Sequence, residues 1–163
     1  MTDNAIKVKD LNIRYALRDD LNATIQLADT MRSEAVFLKQ PMIVRYQKRK
    51  WLLVAEEDKH IIGFVLFTPD KHRNTRINFI GVHKAHRRRG IGRYLINKLI
   101  EDQSAIGGGH ICIKSARDFG ASGFYESLGF EHRSSEQVKT KKKIKVMDIY
   151  YYFLHKDQPE LEF

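Results

Sequence analysis

The stretch His86–Leu95, HRRRGIGRYL, sets three consecutive arginines against two glycines and then runs into apolar residues at helical spacing. Ile91, Leu95 and Leu99 share one stripe, widened by Ile96 and Ile100, which predicts an amphipathic helix that reaches to about Gln103 from Gly92. The basic residues therefore stand at its N-terminus. Helix starts expose unpaired backbone N–H groups and the positive end of the dipole, so cations there are unfavourable until an anion neutralises them. Glycine lets the backbone approach such an anion without interference from a Cβ. The stretch from Arg87 to Arg93 thus reads as a phosphate cradle rather than a solvated surface turn.

Working outward, TRINFIGVH before the arginines reads as a strand, and the glycines 107–109 break the chain before a short strand, HICIK. A second helix is expected from near Asp118 to Gly129, with glycine just past its end. Upstream, WLLVAEE and HIIGFVLFTP flank Asp58 and Lys59, so Trp51 to Glu56 and Ile61 to Thr68 form an antiparallel hairpin. At the start, LNIRYAL alternates Ile13, Tyr15 and Leu17 against polar or small residues, the period of a half-buried strand. Asp20 is expected to cap a helix whose stripe is Leu21, Ile25, Ala28 and Met31. Residues 33–50 read as helical, with Pro41 interrupting. The last third supplies FEHRSS, a basic loop KTKKKIK, and a strand VMDIYYYFLH with Met147, Ile149, Tyr151 and Phe153 on one face. Adjacent strands joined by tight turns, with helices between, predict an α+β fold with a mixed, largely antiparallel sheet.

The 163 residues suit one domain spanning 1–163, with short flexible ends at about 1–10 and 156–163. No apolar run approaches the roughly 18 residues of a membrane span, and MTDNAIKVKD lacks the order of a secretory signal, which points to the cytoplasm and away from membranes. Cys112, flanked by Ile111 and Ile113, reads as a strand residue rather than a reactive thiol. The net charge of +9 favours anionic partners without choosing among phosphate, nucleic acid and acidic surfaces. His83 and His86 lie three apart, but no third ligand has metal-site spacing, so no metal is expected.

A dinucleotide fingerprint fails at the cradle, because Leu95 takes the third glycine's place and HICIK carries no acidic residue for a ribose. No Gly-Lys-Ser/Thr sequence makes a Walker loop. What Arg87, Arg88, Arg89, Gly90, Ile91, Gly92 resembles is the acetyl-CoA pyrophosphate loop of the GNAT superfamily of N-acetyltransferases: Gln or Arg, two residues, Gly, one residue, Gly or Ala. A second block, DFGASGFYESLGF, is similar to that family's other signature at Ala121, Phe124, Tyr125, Glu126, Leu128, Gly129 and Phe130. The resemblance spans nearly the whole chain and is weakest over residues 33–50.

The resemblance implies a GNAT-type sheet with helices on both faces and a splayed parallel strand pair, TRINFIGVH and HICIK. Acetyl-CoA would enter as co-substrate, its pantetheine along Ile80, Gly81, Val82 and His83. Its diphosphate would lie on the amides and side chains of Arg88 to Arg93, including Arg89, Gly90, Ile91 and Gly92, with Arg87 beside them. The Val82 amide would serve the thioester carbonyl, Tyr125 would be the general acid, and Asp118 would stand where the family has a cofactor-contacting asparagine or else cap the helix. The position of the family's glutamate base is matched by Arg76, with Asn78 two residues on, leaving water-relayed deprotonation or a carboxylate that the fold could supply, such as Glu34 or Glu56. The activity implied is acetyl transfer to a primary amine of a small molecule, peptide or protein. Alternatives are acetylation of aminoacyl-tRNA or nucleic-acid binding, with RNA or another acidic partner on Lys139, Lys141, Lys142, Lys143 and Lys145, and a non-catalytic acyl-CoA sensor. A monomer or a homodimer fits equally.

Overall fold

The computed structural model describes residues 11–33 and 35–155; Glu34 and the two predicted ends, 1–10 and 156–163, lie outside the described residues. Seven strands follow the order β1-β2-β3-β4-β5-β7-β6, mostly antiparallel with one parallel pair, β4 and β5. The strands are β1 Leu11–Tyr15, β2 Leu52–Glu57, β3 His60–Pro69, β4 Thr75–Val82, β5 His110–Ala116, β6 Glu131–Lys139 and β7 Ile144–Phe153. Helices are α1 Leu21–Asp29, α2 Gln40–Lys48, α3 Ile91–Ala105 and α4 Ser122–Ser127. The chain divides into two compact units, residues 1–67 with 79–99 and residues 68–78 with 100–163.

In the first unit, Leu27, Ala28, Met31, Leu38 and Ile43 pack with Leu52, Val54, Phe64 and Leu66 into one apolar cluster. Side chains of this size contribute roughly 1.5–3 kcal/mol each when fully buried. Val54 pairs with Phe64, so Ala55 and its partner Gly63 face the other side of the hairpin. There a Cβ on Gly63 would stand 3.3 Å from Ile91 and Leu95 of α3. Helices thus cover both faces here. The β2–β3 turn places Asp58 and Lys59 at φ 49° and 64°, the left-handed pair that a two-residue hairpin turn requires.

Three expectations need correction in this unit. Pro41 does not interrupt a helix; it lies in the first turn of α2, where its missing N–H costs no hydrogen bond. Asp20 does not cap α1 with its side chain, which accepts instead from the Leu17 amide at 2.7 Å and from Arg14. Leu17 is 62% exposed because β1 ends at Tyr15 and Ala16 turns inward in its place.

In the second unit the parallel ladder pairs Thr75, Arg76 and Ile77 with Ile111, Cys112 and Ile113. Buried Thr75 donates its hydroxyl to Gln103 Oε1 at 2.7 Å, fixing the last turn of α3 against the start of β4. The expected helix from Asp118 to Gly129 is two pieces, a 3₁₀ turn Arg117–Phe119 and α4, separated by left-handed Gly120. On β7 the buried side chains are Asp148 and Tyr150, whereas Met147, Ile149, Tyr151 and Phe153 are half-exposed. The buried carboxylate is tolerated because Arg117 binds it at 2.8 and 3.0 Å and Ser135 donates to it at 2.7 Å. The basic loop is shorter than expected, since Lys139 ends β6 and Lys145 belongs to β7.

Candidate functional site

The stretch read as a cradle lies at the join of β4 and α3. A short 3₁₀ turn, Lys84–His86, follows β4; Arg87 is extended, Arg88 is left-handed at φ 63°, and Gly90 is left-handed at φ 79°. α3 then begins at Ile91. Its first regular bond runs from the Tyr94 amide to Gly90 O at 3.0 Å, so the amides of Ile91, Gly92 and Arg93 precede the helical ladder. No acidic side chain stands in that first turn. Main-chain donors, a positive dipole end and two left-handed residues within three positions form a concave donor set suited to a diphosphate.

β4 supplies the second element. The His83 amide donates to Ile62 O of β3 at 2.7 Å. Backbone groups alternate sides along an antiparallel strand, so the N–H and C=O of Val82 point away from β3, and so do those of Ile80. Consistent with this, Val82 O accepts from Arg87 Nε at 3.1 Å. Gly81 faces the α1 side, where a Cβ would meet Met31 Sδ at 2.5 Å; no other residue fits there unchanged. His83 turns its Nδ1 back to the Ala85 amide at 3.1 Å.

The arginines do not act alike. Arg87 and Arg88 are exposed, and so is Arg93 in the first helical turn. Arg89 turns inward, its guanidinium forked on Glu57 at 3.0 and 2.6 Å and within 2.7 Å of His86 Nδ1. The side chain expected at the diphosphate is thus engaged by Glu57 and His86. Arg89 belongs to the scaffold of the loop. The hydrogen bond from Arg89 holds the Glu57 carboxyl below its usual range, and the pair raises Arg89 in return.

Asp118 and Tyr125 lie in the second unit. Asp118 does not cap α4, whose N-cap residue is Ala121; it is exposed and pairs with Lys143 at 3.1 Å. Tyr125 is 6% exposed, its ring 5.4 Å from both Phe124 and Tyr150 and 6.2 Å from Phe130. Burial pushes its phenol above the ordinary value, opposed by a hydrogen bond with the Ser115 side chain. The hydroxyl thus keeps its proton throughout the neutral range, as a proton donor must.

The candidate bases fare poorly. Arg76 is exposed, and Asn78 donates to Thr68 Oγ1 at 2.6 Å. Glu56 is held by Arg14 at 2.6 Å. Among the described residues, no three or more His, Cys, Asp or Glu are grouped to hold a metal, and no helix is long and apolar enough to cross a membrane. Burial raises the Cys112 thiol, which keeps it in its unreactive form. Sequence reading missed Glu57 and Ser115. Alternation along the hairpin could have found the first, because it sends Glu56 and Glu57 to opposite faces.

A family model, the acetyltransferase (GNAT) domain, matches residues 48–132, just over half of the chain. The chain belongs to the GNAT acetyltransferase family. Among solved structures it is similar to the ribosomal-protein-S18-alanine N-acetyltransferase of Escherichia coli, with 18% identity, 94% of this chain and 99% of that chain covered, and a TM-score of 0.77. It is also similar to yncA of Salmonella typhimurium, solved with its cofactor acetyl-CoA, at 20% identity, the same coverage and a TM-score of 0.77. Ard1 of Thermoplasma volcanium matches at 17% identity over 88% of this chain and 97% of that one, with a TM-score of 0.78.

Proposed function

We propose that the protein transfers an acetyl group from acetyl-CoA to the primary amine of a small molecule, peptide or protein. The carrying observation is the start of α3, where exposed Arg87, Arg88 and Arg93 surround left-handed Gly90 just ahead of the first regular helical bond, from the Tyr94 amide to Gly90 O. These residues would hold the diphosphate, and the outward-facing groups of Ile80 and Val82 would bond the pantetheine and the thioester carbonyl. Bound there, acetyl-CoA supplies an activated acyl group. Tyr125, in the second unit, keeps its proton at neutral pH and would be the general acid, its hydroxyl hydrogen-bonded to the Ser115 side chain.

Among the described residues the candidate base positions hold exposed Arg76, Asn78 bonded to Thr68, and Glu56, and acceptor chemistry follows from that. Making a lysine-type amine neutral at pH 7 costs about 4.6 kcal/mol, whereas an α-amino group with a pKa near 7.7 costs only about 1 kcal/mol. With Glu56 tied to Arg14, an α-amino acceptor asks least of this site. The E. coli neighbour is named as an N-acetyltransferase for an alanine of ribosomal protein S18, and alanine has no side-chain amine. A second reading, favoured by exposed Lys141, Lys142 and Lys143 at the β6–β7 tip, is that the amine arrives on an acidic carrier such as aminoacyl-tRNA.

Incubating the protein with radiolabelled acetyl-CoA and a panel of amines, peptides and aminoacylated tRNA tests this. Label is expected on an α-amino group; coenzyme A that gives no heat in calorimetry would overturn the proposal, and binding without transfer to any acceptor would favour an acyl-CoA sensor.

A further inference from the structure

We propose that Glu57, on the β2–β3 hairpin, is a positioning residue that sets the shape of the cofactor loop through Arg89. The inference rests on the reading of that loop as the acetyl-CoA diphosphate site.

Three observations carry it. The Glu57 carboxylate takes both arms of the Arg89 guanidinium, at 3.0 and 2.6 Å, across 32 residues of sequence. A guanidinium only donates, so His86 Nδ1, 2.7 Å from Nη1, accepts from it, and the imidazole carries its hydrogen on Nε2. Arg89 is thereby gripped by the hairpin on one side and by its own loop on the other.

Next, the residue before it is strained. Arg88 has φ 63°, a conformation that is unfavourable for an L-residue and persists where neighbouring contacts over-determine it. Anchoring Arg89 is such a contact. Without it, the chain between extended Arg87 and the first turn of α3 would be free to relax, and the amides of Ile91 to Arg93 would lose their common direction.

Last, the hairpin grips the loop twice. Glu56 pairs with Ile61 but Ala55 with Gly63, so Ile62 is an extra residue, a β-bulge, and its carbonyl takes the His83 amide at 2.7 Å. One bond fixes where the loop begins and the other fixes where it ends. The left-handed turn residues Asp58 and Lys59 hold the hairpin end that carries Glu57. Pre-ordered donors bind an anion without the entropy cost of being ordered by it.

Glu57→Gln, Arg89→Gln and the double variant, compared with the wild type, test the proposal. Calorimetry with coenzyme A should show each single variant weakened by about tenfold and the double variant no worse than either, the sign of two residues acting as one unit. The Michaelis constant for acetyl-CoA should rise with it, while kcat at saturation and the Michaelis constant for the acceptor stay within about twofold. Arg89→Lys should recover part of the loss. Unchanged coenzyme A affinity in Glu57→Gln would overturn the positioning role and leave the proposed function standing. Additive losses would also overturn it, by placing Arg89 on the ligand itself. A wild-type protein that fails to bind coenzyme A would instead overturn the reading on which this one rests.

Discussion

Glu56 and Glu57 are consecutive, carry the same carboxylate and each meet an arginine, yet they serve different ends. Glu56 faces the α1 side, where Arg14 clamps it together with Asp20, at 2.6 Å in each case. Glu57 faces the α3 side and clamps Arg89 inside an irregular loop. The first cluster joins β1, β2 and the segment that leads into α1, all regular structure whose contacts exist to hold the core. The second holds a turn with left-handed Arg88, the one proposed to carry the diphosphate. Identical chemistry thus braces the core on one face of a strand and an irregular loop on the other, and the pleat decides which.

The sharpest departure from that pairing should come from a residue in neither cluster. Tyr125→Phe is expected to lower turnover on the order of 10²-fold with coenzyme A affinity unchanged, as single-turnover rates and calorimetry would reveal. Because burial raises the Tyr125 phenol, the alkaline fall in wild-type kcat should lie above the ordinary tyrosine range and vanish in the variant. Next in size, Gly90→Val forces a β-branched residue to φ 79° and should weaken coenzyme A binding by tenfold or more, roughly the effect of losing one pre-ordered turn.

The clamps themselves separate at smaller scale. Arg14→Gln should destabilise the fold by about 1–2 kcal/mol, read from urea unfolding, and leave coenzyme A affinity alone, the mirror image of Glu57→Gln. Smallest at neutral pH is Asp20→Asn. Its hydrogen bond from Arg14 lowers the Asp20 carboxyl below 3.8, so the stabilisation is complete above that value and is lost as pH falls through the lowered folded value. The melting temperatures of wild type and variant should therefore converge as the solution is acidified below about pH 4. A gap that widened in acid would refute the assignment.

The strand and hairpin pattern was legible because it depends on alternation within eight or ten residues, and so was the loop-to-helix junction at Gly90, because its glycines and arginines are contiguous. What escaped notice was long-range or degenerate. Pro41 can stop a helix or start one, and only the apolar partners of Ile43 and Tyr46 decide. Alternation on β7 puts Met147, Ile149, Tyr151 and Phe153 together on one face, but which face is buried depends on Arg117, which neutralises Asp148 and lets the opposite face bury. Arg89 looked like a phosphate ligand because its carboxylate lies 32 residues away, where no local rule reaches.

The pleat that separates Glu56 from Glu57 also constrains how the hairpin can vary in length. Adding or removing one residue in β2 between Val54 and the turn would exchange the destinations of the two carboxylates, stripping Arg14 and Arg89 of their partners together. Anyone transplanting this hairpin between relatives should therefore count residues in twos, keeping the parity even where the amino acids differ.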